Sequence, residues 1–234
     1  MIKILNVTKK YGDKKALDNV SFEVGDGEIF AFIGHNGAGK TTLIKAIMGI
    51  HDFDEGEILI NGKSIAKEPV ACKKEMAYVP DNPELYENMR AIQFINFICD
   101  MYEVDLEKRN KNIKKYAEMF EMSQNLNDTI DSFSHGMKQK VALIAALSHD
   151  PKILIMDEPF VGLDPKAVFD TKEVMREMVK NGKTIFFSTH ILDVAEKLCT
   201  RVAIIKKGKI MKVGSMKEVK GDKSLEKVFL ELEK

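Results

Sequence analysis

The feature that most constrains this chain is a glycine-rich segment, GHNGAGKTT, at residues 34–42. It follows the apolar run EIFAFI and precedes a stretch of helical character, KTTLIKAIMG. The segment fits the pattern G-x-x-x-x-G-K-[ST], in which backbone N–H groups wrap a phosphate, the lysine reaches the terminal phosphates and the next hydroxyl can hold Mg²⁺. The sequence therefore predicts a polyphosphate site on a strand, a loop and a helix. Its candidate residues are Gly34, Asn36, Gly37, Ala38, Gly39, Lys40, Thr41 and Thr42.

Strand-like and helix-like segments alternate along most of the chain. Residues 1–35 have the character of short strands, whereas residues 82–131 carry two helical patterns, AIQFINFICDMY and NIKKYAEMF, each with an apolar side. The alternation resumes at residue 134 and predicts an α/β fold with a mostly parallel sheet covered on both faces. We expect one domain over residues 1–234, with a core of residues 1–81 and 132–234 and an inserted helical lobe at 82–131.

Composition excludes several classes of protein. The chain has 36 Lys and Arg against 36 Asp and Glu, so no net charge draws it to nucleic acid. The longest run without a charged residue, 29–39, is too short to cross a membrane. Three cysteines without a pairing pattern favour a reducing compartment. We expect a cytoplasmic protein without a nucleic-acid partner, whose membrane role, if it has one, comes through another subunit.

Two carboxylates end a second apolar run, ILIMDEP. Acids at the end of a buried strand are usually kept for a cation or a proton. Beside a phosphate loop, Asp157 is predicted to hold Mg²⁺ and Glu158 to deprotonate the attacking water; taken alone, the two acids could equally be a surface pair. His190, at the end of TIFFSTH, is a candidate for the γ-phosphate or the water, and alone could be structural. Tyr11 is a candidate to stack on adenine.

A second anion-binding turn is predicted in FSHGMKQK, residues 133–140. Ser134 is a good helix N-cap, and Gly136 leaves the first turn bare enough for close approach. The free N–H groups of a helix N-terminus favour an anion, although a plain N-cap is the alternative. Farther on, VGLDP at 161–165 predicts a turn whose proline opens a helix. The lysine-rich stretch 206–223 predicts a solvated face, with attraction to an anionic membrane surface as the alternative.

Taken in order, these motifs resemble those of the nucleotide-binding subunits of the ATP-binding-cassette (ABC) transporter family. The resemblance spans nearly the whole chain and implies a P-loop NTPase core, an N-terminal antiparallel β lobe, an inserted helical lobe and Mg²⁺-dependent ATP hydrolysis. The matching positions are Tyr11 (aromatic position), GHNGAGKTT (Walker A), YVPDNP (Q-loop), FSHGM (signature), ILIMDEP (Walker B), GLD with Asp164 (D-loop) and His190 (switch histidine).

The resemblance implies partners. In that family two cassettes, identical or different, face head to tail, and the signature turn of one closes on the ATP held by the other. The Q-loop segment and helical lobe contact integral membrane permease subunits, which would place this chain on the inner face of the cell membrane. The short segment after His190 favours the exporter type. The signature residues that would read the partner's ATP are Ser134, His135, Gly136 and Met137.

The chain departs from the family pattern at two places. The usual Leu-Ser-Gly-Gly-Gln signature is replaced by FSHGM, so His135 stands for a glycine and Met137 for the glutamine. Asp81 stands where the family has a glutamine that touches Mg²⁺ and signals to the membrane partner. A carboxylate is a hard oxygen ligand, so we expect Asp81 to sense the metal with an altered Mg²⁺ dependence.

Other classes of P-loop protein remain as alternatives. A soluble ABC ATPase acting on ribosomes or an assembly complex is the first, although ribosomal members usually carry two cassettes in one chain. A DNA-repair cassette would need long coiled-coil heptads before the signature, for which there is no room. A kinase-type enzyme would leave the signature, D-loop and His190 unexplained.

Overall fold

The computed structural model describes residues 1–233, which form two β-sheets with helices around them. The strands are β1 Ile2–Tyr11, β2 Lys14–Val24, β3 Ile29–Ile33, β4 Glu55–Ile60, β5 Lys63–Ser64, β6 Met76–Val79, β7 Ile153–Asp157, β8 Thr184–Thr189, β9 Arg201–Lys206 and β10 Lys209–Ser215. The helices are α1 Lys40–Ile47, α2 Pro69–Lys73, α3 Ala91–Met101, α4 Leu106–Met119, α5 His135–Ser148, α6 Pro165–Lys180, α7 Leu192–Leu198, α8 Met216–Lys220 and α9 Leu225–Glu233.

The smaller sheet is antiparallel and has the order β2-β1-β4-β5. β1 and β2 form a long hairpin, and β4 joins β5 through a turn at Asn61-Gly62. Both turn residues have positive φ, 48° and 82°, the backbone conformation that Asn-Gly turns supply. This sheet confirms the expected antiparallel lobe.

The larger sheet has the order β10-β9-β3-β8-β7-β6. β3, β6, β7, β8 and β9 run parallel, and only the edge strand β10 is antiparallel to its neighbour. Helices connect the parallel strands, as parallel pairing requires. The predicted α/β fold with a mostly parallel sheet is therefore confirmed.

Successive residues of the central strands enter two different cores, because side chains alternate across a sheet. Phe30, Phe32 and Phe186 face the antiparallel sheet and α1. Ala31 and Phe187 face α5, α6 and α7. Full burial on both faces explains why these strands have continuous apolar sequences. An aromatic layer fills the space between the two sheets, with ring centroids 5.4 to 6.2 Å apart, formed by Phe22, Phe30, Phe32 and Phe186.

The two predicted helical patterns are α3 and α4. Their apolar faces pack toward α5 and join the core on that side of the main sheet, with Phe94 and Ile95 from α3 and Ile113 and Ala117 from α4 buried. The predicted apolar faces are thus confirmed, while the division into core and lobe at 82–131 stays a prediction. Within residues 1–233, none of the helices combines the length and apolarity that crossing a bilayer requires.

The lysine-rich stretch 206–223 makes several contacts within the chain. Lys212 donates to the carbonyl of Val219 at 2.6 Å, and Lys209 pairs with Asp18 at 3.2 Å. Lys220 pairs with Glu196. These pairings favour a structural and solvated role for the stretch over a membrane-binding patch.

Candidate functional site

The carboxyl ends of four neighbouring parallel strands meet at one edge of the main sheet. Ile33 of β3 pairs with Thr189 of β8, and Asp157 of β7 pairs with Ser188 of β8. The phosphate loop, the two Walker-type acids and His190 follow these strands directly, and Asp81 follows β6. Ligands of open α/β sheets bind at this edge, so the register alone brings the predicted chemistry together.

A cavity of about 460 Å³ opens at this edge. It brings together ten of the sequence-predicted residues from four separate segments, together with Lys14 and Ala16, which the sequence analysis missed. The predicted residues that line it are Tyr11, Asn36, Gly37, Gly39, Lys40, Thr41, Thr42, Asp81, Asp157 and Glu158. Gly34 and Ala38 of the same loop are buried and do not line the cavity. A Cβ on Gly34 would lie 2.6 Å from the carbonyl oxygen of Ile205.

Lys40 is a buried ammonium held by three oxygen atoms. Its Nζ donates to the carbonyls of Gly34 at 2.7 Å and His35 at 3.3 Å, and it lies 3.2 Å from Oε1 of Glu158. A buried charge needs such partners, because desolvation without them costs several kcal/mol. The ammonium faces the cavity. The oxygen atoms of a bound phosphate would replace these protein oxygens as its partners.

Asp157 is fixed by hydroxyls from two sides. The Thr41 hydroxyl donates to its Oδ2 at 2.6 Å, and the Ser188 hydroxyl donates to its Oδ1. Both Thr41 and Asp157 present hard oxygen atoms to the cavity, which is the donor chemistry that Mg²⁺ prefers. The two residues therefore fit a magnesium ion next to the phosphates.

Glu158 joins Lys40 to His190. Its Oε2 accepts from the backbone N–H of His190 at 3.2 Å and lies 2.9 Å from His190 Nδ1. Its own backbone N–H donates to the Ser188 hydroxyl at 3.1 Å, with φ at +46°, a left-handed conformation that side chains rarely adopt. Such strain, held by surrounding hydrogen bonds, is typical of functional positions. These contacts therefore fix the carboxylate at the cavity wall.

Asp81 adds a third carboxyl to the cavity wall. Partial burial raises the pKa of this carboxyl above its usual range, and the nearby negative charges of Asp157 and Glu158 raise it further. His135 and His190 act in the opposite direction. Asp81 therefore holds its proton more tightly than an exposed aspartic acid does.

Tyr11 ends β1 at the mouth of the cavity. Its ring is 51% exposed, and Lys9 Nζ lies 5.3 Å from the ring centroid. An exposed ring beside the phosphate loop is available for stacking on a planar base.

The predicted second anion-binding turn lies at the N-terminus of α5. Ser134 caps this helix by accepting from the Met137 N–H at 3.3 Å, and Ser134 and His135 are exposed. Gly136 faces the carbonyl of Gly162, which a Cβ at position 136 would approach to 2.8 Å. None of the four signature-position residues lines the cavity of its own chain. The turn therefore presents a helix end that does not take part in lining that cavity.

Comparison with known proteins identifies the family. The model of the ABC transporter family matches residues 17–161, more than half of the chain. An uncharacterized ABC transporter ATP-binding protein of Methanocaldococcus jannaschii is 38% identical over 218 residues, 93% of this chain and 79% of that protein. This chain belongs to the ABC transporter family.

Two Bacillus subtilis relatives agree with this assignment. The ABC-type transporter ATP-binding protein EcsA is 34% identical and is matched over 100% of this chain and 97% of its own. The linearmycin resistance ATP-binding protein LnrL is 34% identical over 92% of this chain and 69% of its own.

Solved ABC cassettes share the fold. The ATP-binding subunit of an ABC transporter superposes with a TM-score of 0.96 at 33% identity over the full length of both chains. A dimeric cassette in a post-hydrolysis state with ADP and Pi gives 0.83 at 25% identity, covering 92% of this chain and 99% of that one. CbiO1 from Clostridium perfringens, part of the ABC transporter complex cbiONQ, gives 0.80 at 29% identity over 99% and 95%. The chain is thus an ATP-binding cassette that hydrolyses ATP.

The predicted D-loop contacts the helix that begins at the predicted signature turn. Asp164 caps α6 by accepting from the Ala167 N–H at 2.8 Å, and its other oxygen lies 2.7 Å from Lys140 Nζ on α5. The hydrogen bond from Lys140 lowers the pKa of the Asp164 carboxyl below its usual range. The same loop brings Gly162 against the His135 ring, where a Cβ would lie 2.5 Å from Cδ2.

Besides Lys14, sequence reasoning missed two polar residues that contact the cavity's acids or the segment before Asp81. Ser188 bonds both Walker B acids, and its signal was a hydroxyl inside the apolar run TIFFST. Gln139 of α5 is fully buried and donates to the Pro80 carbonyl at 3.3 Å, next to Asp81. A buried amide three residues after Gly136 gives no distinct sequence pattern, because its partner lies far away in the chain.

Proposed function

We propose that this cassette is the motor subunit of an ABC transporter, which closes with a second cassette around ATP and thereby moves a membrane partner. The observation that carries the proposal is the separation of two half-sites within one chain. The cavity holds the phosphate loop and the acids, whereas the signature turn opens elsewhere. A second subunit facing head to tail would supply the missing half, and the dimeric ADP- and Pi-bound relative supports this arrangement.

We propose these roles for the residues of the cavity. Tyr11 stacks on adenine, and the loop residues from Gly34 to Thr42 bind the phosphates, with Lys40 on the terminal ones. Glu158 takes a proton from the attacking water, and His190 is held by Glu158 close to the γ-phosphate. The anchored positions of Glu158 and Lys40 support these roles.

Thr41, Asp157 and Asp81 are the residues that we propose for Mg²⁺. The ion, when bound, neutralises charge on the phosphates as they are transferred. The hydroxyl and carboxylate oxygens of Thr41 and Asp157, 2.6 Å apart, support this donor set.

The signature and D-loop residues complete the site across the dimer. Ser134 and Gly136 would offer the α5 N-terminus to the partner's γ-phosphate, and Asp164 would hold the D-loop at the seam. A γ-phosphate binds both half-sites at once, so ATP favours the closed state and its hydrolysis favours release.

The membrane subunit is proposed to dock on an apolar groove between the Q-loop segment and the helical lobe. The groove holds about 220 Å³ and includes Leu85, Phe94 and His149 in its lining. Tyr86 and Met101 nearby are 59% and 62% exposed. Large exposed apolar side chains of this kind mark interaction surfaces. The presence of CbiO1 in the cbiONQ transporter complex supports a membrane partner in general.

We propose export as the direction of transport. The relative LnrL is named for linearmycin resistance, and removal of a toxic compound from the cell is one way to provide resistance. A soluble cassette that acts on ribosomes or an assembly complex is the alternative.

Affinity purification of the tagged chain from detergent-solubilised membranes tests the proposal. We expect a polytopic membrane protein in stoichiometric amount, and Leu85→Asp, at a residue that lines the groove, should lose it without loss of ATP hydrolysis. Leu106→Asp is the matched control, because it makes the same change at an exposed leucine that does not line the groove. Recovery only from the soluble fraction, with ribosomes or an assembly complex, would overturn the transporter proposal in favour of the alternative.

A further inference from the structure

The C-terminal helix α9 is docked on the core by one apolar face. Leu225 is fully buried, and Val228 and Phe229 are 7% and 6% exposed. They join the core cluster that contains Leu198 of α7 and Val219 of α8. Leu230, on the other side of the helix, is 55% exposed. The helix is therefore a packed part of the fold rather than a loose tail.

Both ends of α9 are fixed by hydrogen bonds. The Leu225 N–H donates to Oε2 of Glu196 on α7 at 2.9 Å. At the other end, the Lys206 ammonium donates to the Leu232 carbonyl at 2.8 Å. Lys206 ends β9, and its neighbour Ile205 lies directly beneath Gly34 of the phosphate loop. These bonds hold α9 next to the loop that binds phosphate.

One aromatic contact joins the helix to the loop. The ring centroids of Phe229 and His35 are 4.8 Å apart, and the rings meet edge to face at 65°. His35 is part of the phosphate loop, and its carbonyl accepts from the Ala38 N–H at 3.1 Å and from Lys40 Nζ at 3.3 Å. The ring contact therefore holds the residue whose carbonyl orients the phosphate-binding lysine.

We propose that α9 acts as a clamp on the phosphate loop, with Phe229 and His35 as positioning residues for nucleotide binding. Phe229 holds His35, and His35 holds the loop in the shape that receives phosphate. Nucleotide affinity and the docking of α9 are then linked, so each strengthens the other by the same factor. The clamp acts on binding and not on the chemical step, because neither ring belongs to the groups proposed above for the attacking water.

Calorimetric titration of the full chain with ADP in the presence of Mg²⁺ tests the clamp. Phe229→Leu should raise the Kd about 2- to 10-fold, the range expected from loss of one aromatic pair. Phe229→Tyr keeps a ring and should restore affinity close to the wild-type value. Leu230→Ala, on the exposed face of the same helix, is the control and should bind as the wild type does. At saturating ATP, Phe229→Leu should turn over at the wild-type rate.

A double-mutant cycle and hydrogen exchange separate the clamp from a loss of stability. His35→Ala should weaken ADP binding as Phe229→Leu does, and the double variant should bind no more weakly than either single variant. ADP should slow amide exchange in residues 225–232 of the wild type but not in His35→Ala, which leaves the α9 core intact. Unchanged Kd in both single variants, additive effects, or equal exchange protection by ADP in His35→Ala would each overturn the clamp.

Discussion

Lys40 shows how a single residue prepares the site for a phosphate. Its ammonium is only 6% exposed and is compensated by two carbonyls and by Glu158. An isolated buried charge would be strongly destabilising, so the protein oxygens hold it in place until phosphate oxygens replace them. The same exchange would free Glu158 from Lys40 when ATP binds. At this scale, the proposed roles of Lys40 in binding and of Glu158 as the base are linked through one ion pair.

Asp81 gives a prediction that concerns the metal. Replacement by the family's usual residue, Asp81→Gln, removes one negative charge from the site. We expect the Mg²⁺ concentration for half-maximal ATPase activity to rise at least about fivefold. Attraction between even two unit charges about 4 Å apart in water contributes about 1 kcal/mol, which corresponds to that factor. Asp131→Asn, an exposed change outside the cavity, is the control. Identical Mg²⁺ titrations of wild type and Asp81→Gln would show that Asp81 does not sense the metal.

His149 gives a prediction that concerns pH. It is stacked on Tyr102 at a centroid distance of 3.7 Å, and burial lowers its pKa from 6.5 to about 4. Between these values the unfolded chain binds a proton that the folded chain does not, so stability falls as pH falls. The contribution is complete above pH 6.5, and about 2 kcal/mol of it should be lost by pH 5.

Urea unfolding at pH 7.5 and pH 5 measures this contribution. His149→Phe retains a ring for the stack but cannot be protonated, so its free energy of unfolding should fall about 2 kcal/mol less than that of the wild type. His51→Gln, at an exposed histidine, should follow the wild type. An equal loss of unfolding free energy in wild type and His149→Phe would show that burial of neutral His149 does not cause the loss of stability at low pH.

Most residues of the cavity could be predicted because their chemistry is local in sequence. The loop 34–42 and the acids after β7 are recognisable from residue type and the apolar runs before them. Ser188 and Gln139 could not be found in this way, since their partners Asp157 and Pro80 are 31 and 59 residues away in the chain. Their roles depend on strand register and helix packing, which only the folded chain defines.

At the scale of the elements, α5 and α6 are connected through one capping residue. Asp164 bonds the first turn of α6 and pairs with Lys140 of α5. This contact therefore fixes the predicted D-loop, which precedes α6, relative to α5. A displacement of either helix would strain or break the ion pair that joins it to the other.

Denaturation of the nucleotide-free chain measures how much this cap contributes to the free energy of unfolding. Asp164→Ala should lower the free energy of unfolding by about 1 to 2 kcal/mol, through loss of the N-cap and of a partly exposed ion pair. Asp164→Asn can still cap and loses only the ion pair, so its loss should stay below about 1 kcal/mol. Equal destabilisation by the two substitutions would show that the cap contributes nothing beyond the charge.

The elements themselves were largely predictable from apolar periodicity. The central strands were recognised as continuous apolar runs, and α3 and α4 as helices with one apolar side. The short elements β5 and α2 were not, because two and five residues carry too little periodicity to recognise. The hairpin strands β1 and β2 extend farther than predicted, since their outer halves are polar and their pairing is fixed by the partner strand.

At the scale of the whole molecule, we propose that one chain contains two unlike halves of an ATP site. One half is the cavity at the edge of the parallel sheet, and the other is the open N-terminus of α5. We propose that the two halves meet across two copies of the chain. ATP would then hold the two copies together as well as supply the energy, and its hydrolysis would reset the membrane partner.

Light-scattering mass of the Glu158→Gln variant is the most direct test of that claim. Loss of the base should slow hydrolysis about 100-fold or more while ATP still binds, so saturating ATP with Mg²⁺ should give twice the mass of the single chain. ADP should give the monomer mass. Ser134→Arg, added to Glu158→Gln, should bind ATP yet remain monomeric. A Glu158→Gln chain that binds ATP and keeps the monomer mass would contradict closure of two copies around ATP.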